Sequence, residues 1–212
     1  MVIEFVDEIN STQKELCQRV RYGIVKEPFC IVANSQTGGV GSRENEWVSE
    51  IGNLYMSFCV GKKDLPEDVK DVSISIYFSC ILKEILSEFG SKIWVKWPND
   101  FYLNDKKIGG TITSKIDNFF ICGIGLNLIN CPENATILDI NISRDTIVYA
   151  FMEKLKKRIS WKQIFSKFLI EFEKSREFTS HNENNEIVSL KDTILCEDGS
   201  ILINKKRMYS LR

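Results

Sequence analysis

At 212 residues, 43% hydrophobic and 27% charged, the chain has room for one sizeable domain with a small appendage and the composition of an ordinary globular protein. The 28 basic and 29 acidic residues leave a net charge of −1, which gives no whole-molecule reason to bind nucleic acid or an anionic membrane. Only one histidine is present, His181 in the polar stretch SHNENNE, read as an exposed loop residue. That count removes Ser-His-Asp hydrolases, Cys-His proteases and most zinc enzymes from contention.

The opening IEFVDEI alternates as a strand does and runs into Asn10-Ser11-Thr12. Thr12-Gln13-Lys14-Glu15 reads as a capping box, with Thr12 reaching forward and Glu15 back. Leu16 and Val20 then mark one face of a short helix that stops at Gly23. FCIVANS reads as a buried strand and empties into the loop Gln36-Thr37-Gly38-Gly39-Val40-Gly41-Ser42. NLYMSFCV places Leu54, Met56, Phe58 and Val60 on one face of a half-buried strand. A helix is expected from Asp64-Leu65-Pro66-Glu67-Asp68, with Ile74, Phe78, Ile81, Ile85 and Phe89 as its core stripe and Gly90 at its end.

KIWVKW, FYLN, KKIGGTITSKI and FFICGIGLNL follow as strands joined at Pro98-Asn99-Asp100, Asn104-Asp105 and Asp117-Asn118, which suits antiparallel hairpins. Helices are expected over about Asp145–Lys157 and from the capping box Ser160-Trp161-Lys162-Gln163, with Phe165, Phe168, Leu169 and Phe172 along the second. Phe178 to Glu186 is polar and reads as a linker, dividing the chain into residues 1–178 and a small β unit, 179–212, with a turn at Asp198-Gly199. The layout is α+β, helices grouped against a largely antiparallel sheet. Seven cysteines with no CxxC pair, several inside apolar runs, read as small buried hydrophobes in a reducing compartment. The N-terminus lacks the basic region of a signal peptide and no apolar run approaches ~20 residues, so a cytoplasmic protein without a membrane span is expected.

Three elements could carry chemistry: a Ser/Thr at a helix start, a glycine loop after a strand and a lysine inside an aromatic strand. In Ile93-Trp94-Val95-Lys96-Trp97, alternation puts Lys96 beside Trp94 among bulky apolar neighbours, where a lysine needs a partner. That partner is either a structural carboxylate or a bound anion. Gly38-Gly39-Val40-Gly41 lets backbone N–H groups approach a ligand, yet it fits neither the GxGxxG nor the Walker fingerprint and serves equally as a surface loop. Gly123-Ile124-Gly125 within a strand signals close approach of a ligand or another backbone, or a bulge.

Lys96-Trp97-Pro98-Asn99-Asp100, followed by Lys106-Lys107-Ile108-Gly109-Gly110, resembles the KWPND…K-hydrophobic-small-G block of biotin protein ligases. Gly123-Ile124-Gly125-Leu126-Asn127 resembles the family's GIGINV-like strand, Ser11-Thr12-Gln13 its Ser-Thr-Asn, and Ser210-Leu211-Arg212 its closing SLR. The matches keep their order from residue 7 to the end. The resemblance implies a catalytic domain similar to class II aminoacyl-tRNA synthetases, followed by a small SH3-like β piece. It implies an enzyme that adenylates biotin with ATP and transfers biotin to a lysine of the biotin carboxyl carrier protein, with magnesium expected beside ATP and its ligands unassigned.

By the same resemblance Ser11, Thr12 and Gln36 bind the ureido head of biotin, with Gly39, Gly41, Gly110, Gly123 and Gly125 against the rest of it. Lys96 meets the carboxylate and α-phosphate, stabilising charge as the bond forms. Val40, Ser42, Trp47, Asn99 and Asn127 fall on the nucleotide side. The glycine loop departs from the family's GRGRxGR: Val40 and Ser42 stand where two arginines are usual, leaving Arg43 as the nearest cation for a catalytic role. A looser hold on biotinyl-AMP is expected. Three readings compete with the biotin ligase: a lipoate ligase of related fold, a biotin-sensing repressor, and a binder without catalysis. The Ser-Thr motif at residue 11 leaves no room for a preceding winged helix, so no DNA partner is expected. Homodimerisation through the sheet is a family habit that nothing in the sequence settles.

Overall fold

The computed structural model describes residues 1–42, 45–182 and 184–209. Strand β1 (Val2–Ile9) leads into helix α1 (Thr12–Arg21). The cap of α1 is Ser11 and not Thr12: Ser11 keeps an extended backbone, and its side chain accepts from the Lys14 amide at 3.4 Å. Glu15 does not reach back but pairs with Arg19 at 2.7 Å. The capping position belongs to the last residue with non-helical dihedrals, and that residue lies one step before the motif's threonine.

A seven-stranded sheet follows the order β1-β2-β3-β7-β6-β5-β4. It comprises, besides β1, the strands β2 (Phe29–Gln36), β3 (Leu54–Gly61), β4 (Trp94–Lys96), β5 (Asp100–Leu103), β6 (Lys106–Ile116) and β7 (Phe119–Leu126). Only β1 and β2 run parallel; the other neighbours are antiparallel. The expected hairpin series β4 to β7 is realised. Central β3 is buried at every position, not on one face alone. Leu54, Met56, Phe58 and Val60 enter the main core under α2 (Ile74–Glu88) and α3 (Arg144–Lys156), while Cys59 joins Leu16 and Val20 of α1 on the other side. A strand with helices on both faces buries both of its side-chain sets.

Helix α2 begins about ten residues later than expected. Leu65, restricted by the proline after it, is extended, as is Lys70, and short 3₁₀ turns at Lys62–Asp64 and Asp71–Ser73 carry the chain instead. Phe89 is the C-cap and 49% exposed, outside the core stripe, and Gly90 closes the helix at φ +100°. Helix α4 (Trp161–Ser175) carries the capping box at Ser160 and Gln163. It also covers the β4 edge: Glu171 accepts from the Val95 amide at 3.2 Å and Ser175 from the Trp97 amide at 3.0 Å.

The segment expected as a polar linker is a hairpin. Strand β8 (Thr179–His181) pairs with β9 (Ile187–Ser189), because the Asn182 side chain accepts the Asn184 and Glu186 amides and Asn185 adopts φ +63°. His181 therefore sits half-buried in a strand. Strands β10 (Ile194–Leu195), β11 (Ile201–Ile203) and β12 (Lys206–Met208) form a small antiparallel sheet. The indoles of Trp97 and Trp161 donate to the carbonyls of Gly199 and Glu197, at 2.9 and 2.7 Å, and Leu190, Ile201 and Met208 share the main core. Ser210, Leu211 and Arg212, quoted above for their motif, lie outside the described residues. All seven cysteines are free, four of them buried. Among the described residues no helix is long and apolar enough to cross a membrane.

Candidate functional site

A cavity of about 430 Å³ opens over the sheet face formed by β3, β5, β6 and β7. The N-terminus of α1, the loop around residues 40–48 and the segment 132–135 wall it in. Twelve of the sequence-flagged residues line it.

One end is neutral and built for hydrogen bonds. Ser11, Thr12, Gln13, Gln36 and Ser57 line it above Gly123. Gln36 Oε1 accepts from the Thr12 amide at 2.8 Å and from its hydroxyl at 3.1 Å, and Gln36 Nε2 donates to Ser49 Oγ at 2.8 Å. Capping by Ser11 is what leaves Thr12 free for this pairing. Thr12 Oγ1 and Ser57 Oγ lie 2.8 Å apart. A Cβ on Gly123 would stand 2.8 Å from Gln13 Oε1 and 3.2 Å from Ser57 Oγ, so the glycine keeps open the space into which those oxygens point.

The glycine loop folds back on itself: Gly41 N donates to Asn45 O at 2.7 Å, Trp47 N to Gly39 O at 2.9 Å, and Val40 bridges Glu46. Val40, Gly41 and Ser42 face the cavity. Gly39 stands behind them, where a Cβ would lie 2.5 Å from Trp47 O and 2.6 Å from Ser49 Oγ. Arg43 lies outside the described residues. Trp47 lies across Gly125, at which a Cβ would come within 2.7 Å of the indole. Asn99 is buried against β6, its amide donating to Thr111 O, and the Thr111 amide returns to Asn99 O at 2.9 Å. Asn127, also buried, donates through its side chain to Thr136 O at 3.3 Å and accepts from the Leu138 amide at 2.9 Å, which holds the 132–138 wall in place.

Among the described residues, the cation lining the cavity is Lys107 and not Lys96. Lys107 Nζ lies 2.6 Å from Asp100 Oδ1 and 6.0 Å from the Trp47 ring centroid, and both Lys107 and Asp100 line the cavity. Lys96 is on β4, one strand further out, and is not among the lining residues. Its ammonium is 3.8 Å from Asp100 Oδ2 and lies over the rings of Tyr102 and Phe178, at 5.4 and 6.0 Å. Asp100 thus stands between the two lysines. A bulge turns Lys107 inward. Phe101 pairs with Gly109 but Tyr102 with Lys107, so Ile108 is the extra residue. Strict alternation from Gly110 would aim Ile108 at the cavity and Lys107 away; the bulge reverses both, and Ile108 enters the core.

Burial, with Asp100 adding to it, pushes the Tyr102 hydroxyl up to about 12, and burial lifts Tyr55 to about 12, so both stay protonated at neutral pH. Tyr55 donates to Glu50 O at 2.7 Å. Among the described residues no three His, Cys, Asp or Glu side chains cluster as metal ligands. Among the described residues the carboxylates on the cavity are Glu46, Asp100 and Asp105. Sequence reasoning gave no role to Gln13, Ser57, Asp100 or Lys107. The Lys106-Lys107 dipeptide and the acid of the Pro-Asn-Asp turn were visible signals, but only strand pairing tells which of them points inward. In chemical terms the cavity offers a neutral polar cage at one end and a lysine–aspartate pair beside an aromatic shelf at the other. It can hold an elongated ligand with a polar head and an anionic tail.

Residues 5–127 match the biotin/lipoate A/B protein ligase family. The bifunctional ligase/repressor BirA of Escherichia coli K12 is 28% identical over 165 residues, covering 70% of this chain and 50% of that protein. The Salmonella typhimurium counterpart is 32% identical over 169 residues, covering 70% and 52%. The chain therefore spans about half the length of these curated relatives. Among solved structures, the biotin acetyl coenzyme A carboxylase synthetase of Helicobacter pylori, crystallised with biotinylated ATP, superposes with a TM-score of 0.94 at 38% identity, covering 98% of this chain and 99% of that one. The biotin protein ligase of Aquifex aeolicus, in complex with biotin and ATP, superposes at 0.76 with 22% identity over 99% and 95% of the two chains, a likeness of fold alone.

Proposed function

The chain belongs to the biotin/lipoate A/B protein ligase family, and from that premise we infer that it is a biotin protein ligase. It joins the carboxylate of biotin to the α-phosphorus of ATP with release of pyrophosphate. It then passes the biotinyl group from AMP to a lysine of the biotin carboxyl carrier protein of acetyl-CoA carboxylase. The observation that carries this reading is a single cavity with a neutral hydrogen-bonding cage at one end and Lys107 at the other. A bicyclic urea suits the first end, and a carboxylate meeting a phosphate suits the second.

Ser11 and Gln36 each keep a hydrogen for the ureido oxygen, and Thr12 holds Gln36 in place. Gly110, Gly123 and Gly125 leave space for the rings, and Gly39 and Gly41 let the loop lie close. Trp47 is the shelf for adenine, with Val40, Ser42, Asn99 and Asn127 on the nucleotide side. Lys107 takes the charge-stabilising role that the sequence suggested for Lys96, neutralising the carboxylate and α-phosphate as they approach. Lys96 becomes a positioning residue that holds Asp100 from behind. Arg43 remains the loop's candidate second cation. A magnesium ion would neutralise phosphate charge here. Such an ion needs only one or two protein carboxylates besides phosphate oxygens, and Asp100, with Glu46 or Asp105, fits that need. Residues 1–178 would act as the catalytic unit and 179–212 as the appended β unit.

Incubation with ATP, labelled biotin and a carboxylase carrier domain tests the reading. ATP-dependent label on the carrier is expected. Stabilisation by lipoate and not by biotin in a thermal-shift assay would transfer the assignment to a lipoate ligase.

A further inference from the structure

Lys96 is buried and is not among the residues lining the cavity, yet its charge bears on what the cavity can hold. It pairs directly with Asp100 across β4 and β5, and Asp100 lines the cavity beside Lys107. A carboxylate on a surface that receives a carboxylate and a phosphate repels both. Lys107, 2.6 Å from Oδ1, only cancels that charge. With Lys96 at 3.8 Å from Oδ2, two positive charges face one negative, and the trio as a whole is cationic.

Aromatic rings hold Lys96 in that place. Its ammonium lies over Tyr102 and Phe178, 5.4 and 6.0 Å from their centroids. Trp94, Tyr102 and Phe178 stand with their ring centroids within 5.4 Å of one another. Trp94 and Tyr102 belong to the same strand pair as Lys96 and Asp100, but Phe178 comes from outside the sheet. It follows α4, its amide donating to Ser175 O and its carbonyl accepting from the Leu190 amide, both at 3.0 Å. Phe178 and Trp94 also line a surface groove that holds Glu177 and that Lys96 does not line. The Phe178 ring therefore stands between the ammonium and a carboxylate that competes with Asp100 for it.

Taking the biotin ligase reading as premise, we propose that Phe178 is a positioning residue for the adenylation step. It keeps the Lys96 ammonium on Asp100, so that the carboxylate stays fixed and compensated when Lys107 turns to the ligand. Phe178 does not line the cavity and acts through Lys96 alone. A residue at the joint to the small β unit thus bears on the reaction without touching either substrate.

The test is a double-mutant cycle in biotin-dependent ATP–pyrophosphate exchange, with biotin affinity titrated alongside without ATP. Wild type, Phe178→Leu, Phe178→Tyr, Lys96→Met and the Phe178→Leu, Lys96→Met pair are compared. One aromatic face on a desolvated ammonium is worth a factor of about 5–30 in its placement. Phe178→Leu should therefore lower kcat about three- to tenfold and leave biotin affinity within about twofold. Phe178→Tyr keeps the ring face and should retain at least about half of the wild-type rate. In the Lys96→Met background, Phe178→Leu should change kcat by less than about twofold, because the charge it positions is gone. Equal losses in both backgrounds overturn the proposal, since damaged packing would act regardless of Lys96. So does a Phe178→Leu enzyme with wild-type kcat, or a Phe178→Tyr enzyme as slow as Phe178→Leu. Should Phe178→Leu or Lys96→Met fail to fold, Phe178→Met against Phe178→Tyr decides on the same terms. A folded wild-type protein without biotin-dependent exchange refutes the functional reading instead.

Discussion

Replacing Lys107 by methionine separates the two lysines by role. Methionine keeps the length of the side chain and removes its charge. A full charge about 4 Å from a phosphate oxygen is worth about 4 kcal/mol at an effective dielectric near 20. Lys107 is 37% exposed along its side chain, so solvent screens part of that. Measured losses on deleting one stabilising donor at a reacting centre run about 2.7–4 kcal/mol, which corresponds to a drop of about 10²–10³ in kcat. Its ion pair with Asp100 is half-exposed, so stability should fall by less than about 1 kcal/mol. Lys96→Met is the contrast. It removes a buried ammonium lying over Tyr102 and Phe178, so its main effect should be on stability, with kcat down only about tenfold through a less well held Asp100. ATP–pyrophosphate exchange at saturating biotin, with thermal melting alongside, reads both quantities. A Lys107→Met enzyme with more than about a tenth of wild-type exchange, beside an inactive but folded Lys96→Met, would refute the assignment.

Gly125→Ala places a methyl within 2.7 Å of the Trp47 indole and should displace it, raising KM for ATP about tenfold or more while leaving biotin affinity within about threefold; the two titrations check it. Asn53→Ala removes one oxygen that accepts the amides of Leu128, Ile129 and Asn130 and an amide that donates to Asn130 O, and should cost about 3 kcal/mol, a fall of about 6–10 °C in Tm. Hydrogen bonds from Lys115 and Lys62 hold the Asp71 carboxyl below the ordinary carboxylate range. Burial raises Glu84, but pairing with Lys167 and Lys154 outweighs it and leaves a net lowering. Both contributions are therefore complete above the unfolded carboxylate range and are lost as pH falls below about 4 through the folded values; Asp71→Asn should flatten that acid limb of the urea-denaturation midpoint. With Val40 and Ser42 on the loop, biotinyl-AMP should escape and label unrelated lysines, and Ser42→Arg should reduce this; an avidin blot confined to the carrier in wild type at excess ATP and biotin would refute it.

Local chemistry is what could be read along the chain. Period-two apolar runs separated by Asn-Asp and Asp-Asn turns dictate the β4–β7 hairpin series, because turn residues that tolerate positive φ act within a few positions; Asn104 and Asp117 adopt φ +50°. The Ser160–Gln163 capping box was legible for the same reason. So were the glycine-lined cavity floor and the family blocks that lie on it. Errors began wherever two local signals competed or a distant element intervened. Ser11 and Thr12 are equally good caps by composition, and only the end of β1 chooses between them. The polar run after Phe178 closed into a hairpin through Asn182, and its first residue, Phe178, was claimed by Trp94 and Tyr102 across the sheet.

The sequence by itself determined which polar groups are available: the Ser11-Thr12-Gln13 turn, Gln36, Trp47, the Lys96–Asp100 block and Lys107. Tertiary structure alone decided which of them face the cavity. Strand pairing has a period of two, so one extra residue at Ile108 exchanges inside for outside and places Lys107 at the cavity, while Lys96, one strand further out on β4, stands behind Asp100. Likewise, nothing local distinguishes Gln13 from any other helix-start glutamine. Its setting arises when α1 packs on β7 and Ile121 takes one end of its amide, leaving the other end at the cavity.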